Sequence, residues 1–177
     1  MNTLGPGALK SPRHEPSGLD VPAGGLVCCF TGHRPEKLTR KEPEILALLE
    51  VEIEQSVADG FTTFITGMAQ GVDIWAGEIV LRLRPRHPSL QLIAALPYPG
   101  CARRWPAAWK KRFAHIAENA GQAVFISPRY SPGVYRRRDQ WMVDHAQRVI
   151  AVYDGAPGGT EDTIAYAHKR GVEVRLV

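Results

Sequence analysis

Six short apolar runs alternate with five amphipathic segments along this chain, and this alternation limits its fold more than any other feature. The apolar runs are Leu26–Phe30, Thr62–Thr66, Leu90–Ala95, Ala123–Ser127, Arg148–Tyr153 and Val172–Val177. The segments with helical spacing or composition are Glu42–Ala58, Val72–Leu83, Trp105–Ala120, Tyr135–Ala146 and Thr160–Lys169. Strands joined through helices run parallel, and right-handed crossovers place the helices on both faces of the sheet. The pattern predicts an α/β fold: a single Rossmann-like domain with a mostly parallel sheet of about six strands and helices on both faces.

Length and composition divide the chain into a tail and one folded domain. A chain of 177 residues fits a single domain with a substantial core. Residues 1–24 are rich in glycine, proline and serine without periodicity, which predicts a disordered tail before a domain at 25–177. The formal net charge of +4 suits a phosphate-bearing partner but is too small to indicate nucleic-acid binding by itself.

The cysteines and the lack of long apolar runs predict a cytoplasmic protein. Cys28 and Cys29 are adjacent in a predicted strand, so their side chains point to opposite faces and do not bridge each other. No Cys-x-x-Cys or His-x-His pattern is present, and we expect neither a metal nor a cofactor. No apolar run approaches the ~20 residues of a membrane span, so we expect no membrane partner.

The unusual residues of the chain follow the predicted strands. These segments are Thr31–Pro35, Gly67–Asp73, Tyr135–Asp139 and Gly158–Thr160. The carboxyl ends of parallel strands face the same way, and open α/β sheets bind ligands at that rim. Two of the segments are glycine-rich and open helices, and two carry arginines, which indicates a site for an anionic, nucleotide-like small molecule.

The segment after the first strand combines close backbone approach with a basic side chain. Thr31 and Gly32 bring backbone N–H groups towards an anion, and Arg34 presents a planar fork for phosphate. The alternative is an ordinary turn, in which glycine supplies a positive φ and proline ends the turn. A turn does not need His33 or Arg34, so we include all four residues in the predicted site.

The segment after the second strand opens directly into a helix. Gly67, Ala69 and Gly71 place backbone near the positive end of the helix dipole, where anions bind. Asp73 lies in the first helical turn, and two interpretations stay open. It complements the helix dipole, or it accepts a hydrogen bond from a ribose hydroxyl.

Arg138 is the predicted phosphate or sugar contact among three consecutive arginines. Neighbouring residues of a helix point about 100° apart, so the three do not act as one clamp. Arg138 shares a face with Tyr135 and Met142, which we expect to face the core, so its side chain is aimed at the rim. Arg136 and Arg137 are expected to be solvated.

The last segment is a further glycine-rich turn from strand to helix. Gly158 and Gly159 let the backbone cradle a ligand, and Thr160 is the predicted helix N-cap. Glu161 and Asp162 fall in the first turn, where they complement the helix dipole and would repel a bare phosphate. We therefore expect the sugar of a nucleotide at this end of the site.

The segment Pro97–Arg112 is both basic and aromatic, and two interpretations are open. Its start lies on the rim, where aromatic rings beside guanidinium groups stack a nucleobase. Alternatively Trp105, Trp109 and Phe113 pack on the sheet, and their i, i+4, i+8 spacing favours this packing.

Together these segments resemble the SLOG superfamily, in particular its YpsA-like bacterial branch. The matching pieces are Thr31-Gly-His-Arg-Pro35, Thr66-Gly-Met-Ala-Gln-Gly-Val-Asp-Ile-Trp75, the Arg138-x3-Met142 helix and Gly158-Gly-Thr160. The resemblance covers the chain from residue 26 onward. It implies a Rossmann-like fold that binds nucleotide-derived ligands, with the DprA proteins and the LOG phosphoribohydrolases as relatives.

The LOG enzymes cleave cytokinin nucleoside monophosphates, and the chain resembles their catalytic set in part. Arg138 before Met142 matches the LOG arginine. The LOG pattern Gly-Gly-x-Gly-Thr-x-x-Glu is shortened here, so that Thr163 stands at the place of the glutamate and Asp162 is its nearest substitute. If the chain is an enzyme, the resemblance implies Arg138 and Asp162, or else Glu161, as its catalytic residues.

Three functions are therefore considered. The preferred one is a sensor or regulator that binds a nucleotide or an ADP-ribose-like ligand at the rim. The first alternative is a LOG-like phosphoribohydrolase that cleaves the N-glycosidic bond of a nucleoside 5′-monophosphate. The second is DprA-like binding of single-stranded DNA through Arg103–Arg112 with Arg136 and Arg137, against which the modest net charge argues. A homodimer is left open.

Overall fold

The computed structural model describes residue 19 and residues 21–177, and the predicted tail of residues 1–24 lies largely outside the described residues. The described residues form six strands and five α-helices in the predicted order. The strands are β1 (Leu26–Gly32), β2 (Phe61–Thr66), β3 (Gln91–Leu96), β4 (Gln122–Phe125), β5 (Arg148–Val152) and β6 (Glu173–Leu176). The helices are α1 (Glu42–Ala58), α2 (Val72–Leu83), α3 (Ala107–Asn119), α4 (Val134–Asp144) and α5 (Gly159–Arg170), with a short 3-10 helix at Pro35–Lys37.

All six strands are parallel, which confirms the predicted α/β Rossmann-like sheet. Their order is β4-β3-β2-β1-β5-β6. The chain builds outward from β1 through β4, then crosses to the other side of β1 to add β5 and β6. Such a reversal opens a crevice at the carboxyl ends of the two strands on either side of it, here β1 and β5. Gly32 at the end of β1 pairs with Val152 at the end of β5.

Two apolar layers cover the two faces of the sheet, as predicted. Cys28 belongs to the layer beneath α1, α2 and α3, and Cys29 belongs to the layer beneath α4 and α5. Both thiols are free and fully buried, so the alternation of a strand separates them as expected. In the described part of the chain, no helix combines the length and the apolar character needed to cross a membrane.

Several local expectations are wrong, each for a physical reason. The predicted turn at Thr31 and Gly32 is the end of β1, because both residues pair with β5. Thr160 is not the N-cap of α5: the helix begins at Gly159 with Gly158 as N-cap. Tyr135 does not face the core but is 43% exposed at the start of α4.

Candidate ligand site at the carboxyl rim

A cavity of about 240 Å³ lies where the sequence places the site, at the carboxyl ends of the central strands and the first turns of α2, α4 and α5. Most of the predicted ligand-binding residues line it. These are Thr31, Gly32, His33, Arg34, Gly67, Ala69, Asp73, Arg138, Gly159 and Thr160. Gly71 and Gly158 lie outside the lining. The topology therefore brings the four sequence segments together around one space.

Arg138 lies at the floor of this cavity, between two carboxylates. Its side chain is buried, its Nε donates to Asp139 Oδ1 at 2.7 Å, and its Nη1 lies 3.7 Å from Asp73 Oδ2. Nη1 also donates to the carbonyl oxygen of Gly67 at the end of β2. The guanidinium is therefore held by partners from β2, α2 and α4, and its charge is offset within the protein.

Asp73 joins the second segment to this buried cluster. Its Oδ2 accepts a hydrogen bond from the Ala69 N–H at 3.2 Å, and its backbone carbonyl accepts one from the Thr66 hydroxyl at 2.7 Å. Burial raises the pKa of Asp73 to about 6, although the nearby Arg138 lowers it. Burial also raises the pKa of Asp139, again against the effect of Arg138. Two carboxyl groups thus share one guanidinium.

The Asp73 carboxyl should make the free energy of unfolding depend on pH. Its pKa is about 6 in the folded protein and about 3.9 when exposed, so the native state binds more protons between these values. The stabilising contribution is therefore present below about pH 4 and is lost as the pH rises through 6. In urea unfolding, the stability of the wild type relative to Asp73→Asn is expected to fall from pH 4 to pH 6.5.

Asp59→Asn provides the opposite control. A hydrogen bond from Arg148 lowers the pKa of Asp59, so its contribution is present above the usual pKa and is lost as the pH falls. The wild type should therefore gain stability over Asp59→Asn with rising pH. Equal slopes for the two variants would contradict the assignment of the raised pKa to Asp73.

His33 connects the first and last segments of the site. Its Nε2 lies 3.1 Å from the carbonyl oxygen of Ala156, and its Nδ1 lies 3.4 Å from the Thr160 hydroxyl. The ring is buried, with only 5% of the residue exposed. This explains why Thr160 is not an N-cap: its hydroxyl faces His33 across the crevice between β1 and β5. His33 positions the rim as well as lining it.

Part of the cavity lining is cationic. Arg34 and Lys37 line the cavity, both are exposed, and neither forms an ion pair within the described part of the chain. Gly159, the first residue of α5, also lines the cavity, and no side chain caps this helix. Free N–H groups at a helix start favour an anion. The cavity lining therefore includes the positive charge that a phosphate requires.

The other part of the lining is apolar and aromatic, and the sequence reasoning largely missed it. Met68, Pro97, Cys101, Trp105 and Tyr135 contribute side chains to the cavity. Met68 follows β2, whereas Pro97, Cys101 and Trp105 lie between β3 and α3, and Tyr135 lies in the first turn of α4. Pro106 is the N-cap of α3, so Trp105 lies before the helix, whereas the predicted helical segment Trp105–Ala120 included it.

The basic and aromatic segment divides between the two interpretations offered for it. Trp109 packs on Trp75 of α2, with ring centroids 6.3 Å apart, and so joins the core. Trp105 packs edge-on against Phe113 at 5.5 Å and presents itself to the cavity. Arg112 is bound to Glu78 through both carboxylate oxygens, at 2.8 and 2.6 Å. Of the three aromatic residues, Trp105 alone lines the cavity.

The residues implied by the LOG resemblance are not gathered in this cavity. Arg138 lines it, whereas Glu161 and Asp162 are exposed on α5 and lie outside the lining. Thr163, at the place of the LOG glutamate, donates its hydroxyl to the carbonyl oxygen of Gly159 at 2.7 Å. Among the described residues, no group of three or more His, Cys, Asp or Glu side chains is arranged to hold a metal ion.

The chain is similar to several bacterial proteins over most of its length. It is 30% identical over 147 residues to the SPbeta prophage-derived protein YoqJ of Bacillus subtilis, covering 76% of this chain and 84% of that protein. It is 28% identical to the UPF0398 protein BH1768 of Halalkalibacterium halodurans, covering 73% of this chain and 66% of that protein. For the UPF0398 protein SSP1297 of Staphylococcus saprophyticus the identity is 28%, with 63% of this chain and 62% of that protein covered.

Two solved structures share the fold. DNA processing protein A from Helicobacter pylori superposes with a TM-score of 0.61 at 19% identity, covering 85% of this chain and 64% of that chain. The protein of the same name from Streptococcus pneumoniae gives a TM-score of 0.61 at 17% identity, covering 86% and 50%. The model of the YspA SLOG family matches residues 28–173, which include every segment of the rim. The chain therefore belongs to the YspA SLOG family.

Proposed function

We propose that this protein binds a nucleotide or a nucleotide-derived small molecule in the rim cavity and acts as a sensor or regulator. The observation that carries the proposal is the composition of the cavity lining. It combines the exposed cations Arg34 and Lys37, the aromatic residues Trp105 and Tyr135, and the buried Asp73–Arg138–Asp139 cluster. Cavities that are largely apolar and contain a few convergent polar groups are typical of small-molecule sites.

Each part of a nucleotide has a chemical counterpart in the lining. Arg34, Lys37 and the start of α5 would bind phosphate. This assignment departs from the sugar that the sequence analysis expected at α5, because the Glu161 and Asp162 side chains lie outside the lining of this cavity. Trp105 and Tyr135 offer aromatic faces to a base. The acceptors that remain, Asp73 and Asp139, suit sugar hydroxyl groups. In this arrangement Arg138 holds the two carboxylates in place through Nε and Nη1. Its Nη2 can then donate to the ligand.

A binding role is preferred over N-glycosidic cleavage because of the position of the acidic side chains on α5. Cleavage requires a carboxylate close to the sugar carbon as positive charge develops there. Glu161 and Asp162 do not line the cavity, and the carboxylates that do, Asp73 and Asp139, face Arg138. Release of free base from nucleoside monophosphates during prolonged incubation would overturn this preference.

Arg34→Ala tests the proposed phosphate contact in the cavity. Nucleoside monophosphates at 100 times the dissociation constant should stabilise the wild type by about 2.7 kcal/mol in a thermal-shift assay. Loss of a charged hydrogen bond should weaken binding about tenfold in Arg34→Ala, with the unliganded stability almost unchanged because this arginine is exposed. Isothermal titration calorimetry measures the affinity.

Arg104→Ala is the matched control, since Arg104 is also exposed but lies outside the cavity lining. Equal affinities of the Arg34→Ala and wild-type proteins would show that Arg34 does not bind the phosphate. No stabilisation by any of the four common nucleoside monophosphates, ADP-ribose or NAD would contradict the proposed function itself.

Single-stranded DNA is a second candidate because of a tyrosine cluster that adjoins the cavity through Tyr135. The ring of Tyr98 lies edge-on to Tyr130 at 5.6 Å and to Tyr135 at 6.2 Å, and Tyr130 is 62% exposed. Successive bases stack on such rings. The Helicobacter pylori relative in fold is described as a single-stranded DNA-binding protein. Oligonucleotide affinity should then fall with salt, with a log–log slope of roughly −0.7 for each phosphate neutralised.

A further inference from the structure

A second cavity, of about 400 Å³, lies beside the rim cavity in the groove between α4 and α5. Tyr135, Asp139 and Gly159 line both cavities, so the two spaces meet at the first turns of these helices. From there the groove continues along the two helices, which run side by side. Near its far end the Tyr166 hydroxyl donates to the Asp144 carboxylate at 3.0 Å, which fixes the tyrosine ring.

Gly159 is one of the residues shared by the two cavities. A Cβ atom built on this glycine would have no atom within 4 Å apart from its own neighbours in the chain and helix. Gly159 is also the first residue of α5, where backbone N–H groups are available to an anion. A phosphate bound to these groups would lie at the junction and leave its next substituent facing the groove.

Several polar side chains that line the groove are available to a ligand. Arg136, Gln140, Asp162 and Lys169 line it. None of their side chains forms a hydrogen bond or ion pair within the described part of the chain. Arg136 and Gln140 are four residues apart on α4 and so share one face. Donors and acceptors of mixed type beside the Tyr166 ring suit a polyhydroxylated group better than a base or a bare phosphate.

We propose that the α4–α5 groove is a second subsite, which binds the distal sugar of a nucleoside-diphosphate-linked ligand. This inference rests on the proposed function, because the nucleotide half of the same ligand occupies the rim cavity. The diphosphate passes Gly159 at the start of α5. The sugar hydroxyls then bind Gln140, Asp162 and Arg136 in the groove.

Calorimetric titration of the full chain with two ligand series tests this proposal. The first series is AMP, ADP and ADP-ribose, and the second is UMP, UDP and UDP-glucose. In the series whose base is accepted, the sugar-linked member should bind about tenfold more tightly than the diphosphate, as expected for one or two added hydrogen bonds to charged groups. The Arg136→Ala/Gln140→Ala variant should lose this gain and keep its affinity for the monophosphate within about twofold.

Arg137→Ala is the control variant, since Arg137 is the exposed neighbour of Arg136 and lines neither cavity. It should retain the affinity for the sugar-linked ligand. If the sugar adds no affinity while the monophosphate binds, the groove is not a subsite and the proposed function stands. Equal losses of monophosphate and sugar-linked ligand in the double variant also overturn the inference. If no member of either series binds, the proposed function fails, and the inference fails with it.

Discussion

Arg138→Ala is expected to lower the free energy of unfolding by about 3–5 kcal/mol at pH 7, because it leaves two buried carboxylates without their shared guanidinium. Asp139 lies 2.7 Å from the arginine Nε, and Asp73 lies 3.7 Å from Nη1. The loss should shrink as the pH falls from 7 to 5. Protonation then neutralises the carboxyl groups, whose pKa values burial already raises. Urea unfolding at several pH values measures both effects.

Arg137→Ala is the natural comparison for this variant. Arg137 is the exposed neighbour on α4, donates to the Pro132 carbonyl oxygen at 3.0 Å, and should change the stability by only about 0.5 kcal/mol. Adding Asp139→Asn to Arg138→Ala should recover part of the lost stability. A pH-independent loss below about 1 kcal/mol for Arg138→Ala would refute the structural role of this cluster.

This role changes how ligand binding by the Arg138→Ala variant must be interpreted. The arginine is the predicted phosphate or sugar contact, yet its side chain is already held by Asp73, Asp139 and the Gly67 carbonyl. A lost ligand response in this variant would combine a missing contact with a disturbed floor of the cavity. Arg34→Ala separates the two effects because Arg34 is exposed and forms no ion pair in the described part of the chain.

Gly32→Ala is expected to destabilise the fold by about 1–3 kcal/mol, as overpacking in a close contact does. A Cβ atom at Gly32 would lie 2.6 Å from the Cβ and 2.8 Å from the Cγ1 of Val72. Val72 is the buried first residue of α2, so it has little space in which to move. Gly32 therefore allows β1 to approach α2 closely. Chemical or thermal unfolding measures the stability that is lost in Gly32→Ala.

Gly159→Ala is the matched glycine replacement, and its effect on stability should be close to zero or favourable. Nothing lies within 4 Å of a Cβ atom at this position, and alanine is the better helix former by about 0.5–1 kcal/mol. The added methyl group points into open space beside the cavities. Equal destabilisation by the two replacements would contradict the distinction between a packing glycine and a ligand-facing one.

Gly32 and Gly159 show what the sequence can and cannot predict about a glycine in the site. Both follow predicted strands and precede predicted helices, so both were assigned to close approach by a ligand. Only atomic packing separates them: Gly32 faces Val72, whereas Gly159 faces empty space. Glycine can occur where a side chain does not fit, or where the lack of a side chain leaves space for a ligand. The neighbour that excludes a side chain at Gly32 is Val72, which comes from another part of the chain, so the sequence around Gly32 does not reveal it.

The fold could be predicted from the sequence because its evidence is local and repeated. The apolar runs and helical stripes recur along the chain, and parallel βαβ units allow few arrangements. The same logic brought Thr31, Gly67, Arg138 and Gly159 to one rim, where the cavity lies. The bounds of α1 were predicted to the residue, since the apolar spacing and Gly60 indicate the same limits.

What only the tertiary structure decided is the balance of charge within the site. Asp139 next to Arg138 and Asp73 from α2 surround one guanidinium, and this arrangement depends on the packing of α2 and α4, which brings together Asp73 and Arg138 from 65 positions apart in the chain. The contribution of Trp105 and the groove between α4 and α5 likewise depend on how elements pack. Sequence by itself determined where the rim would be, because strand direction is a local consequence of the βαβ pattern. Which groups at that rim remain available to a ligand depends on distances between side chains, and only the folded chain sets those distances.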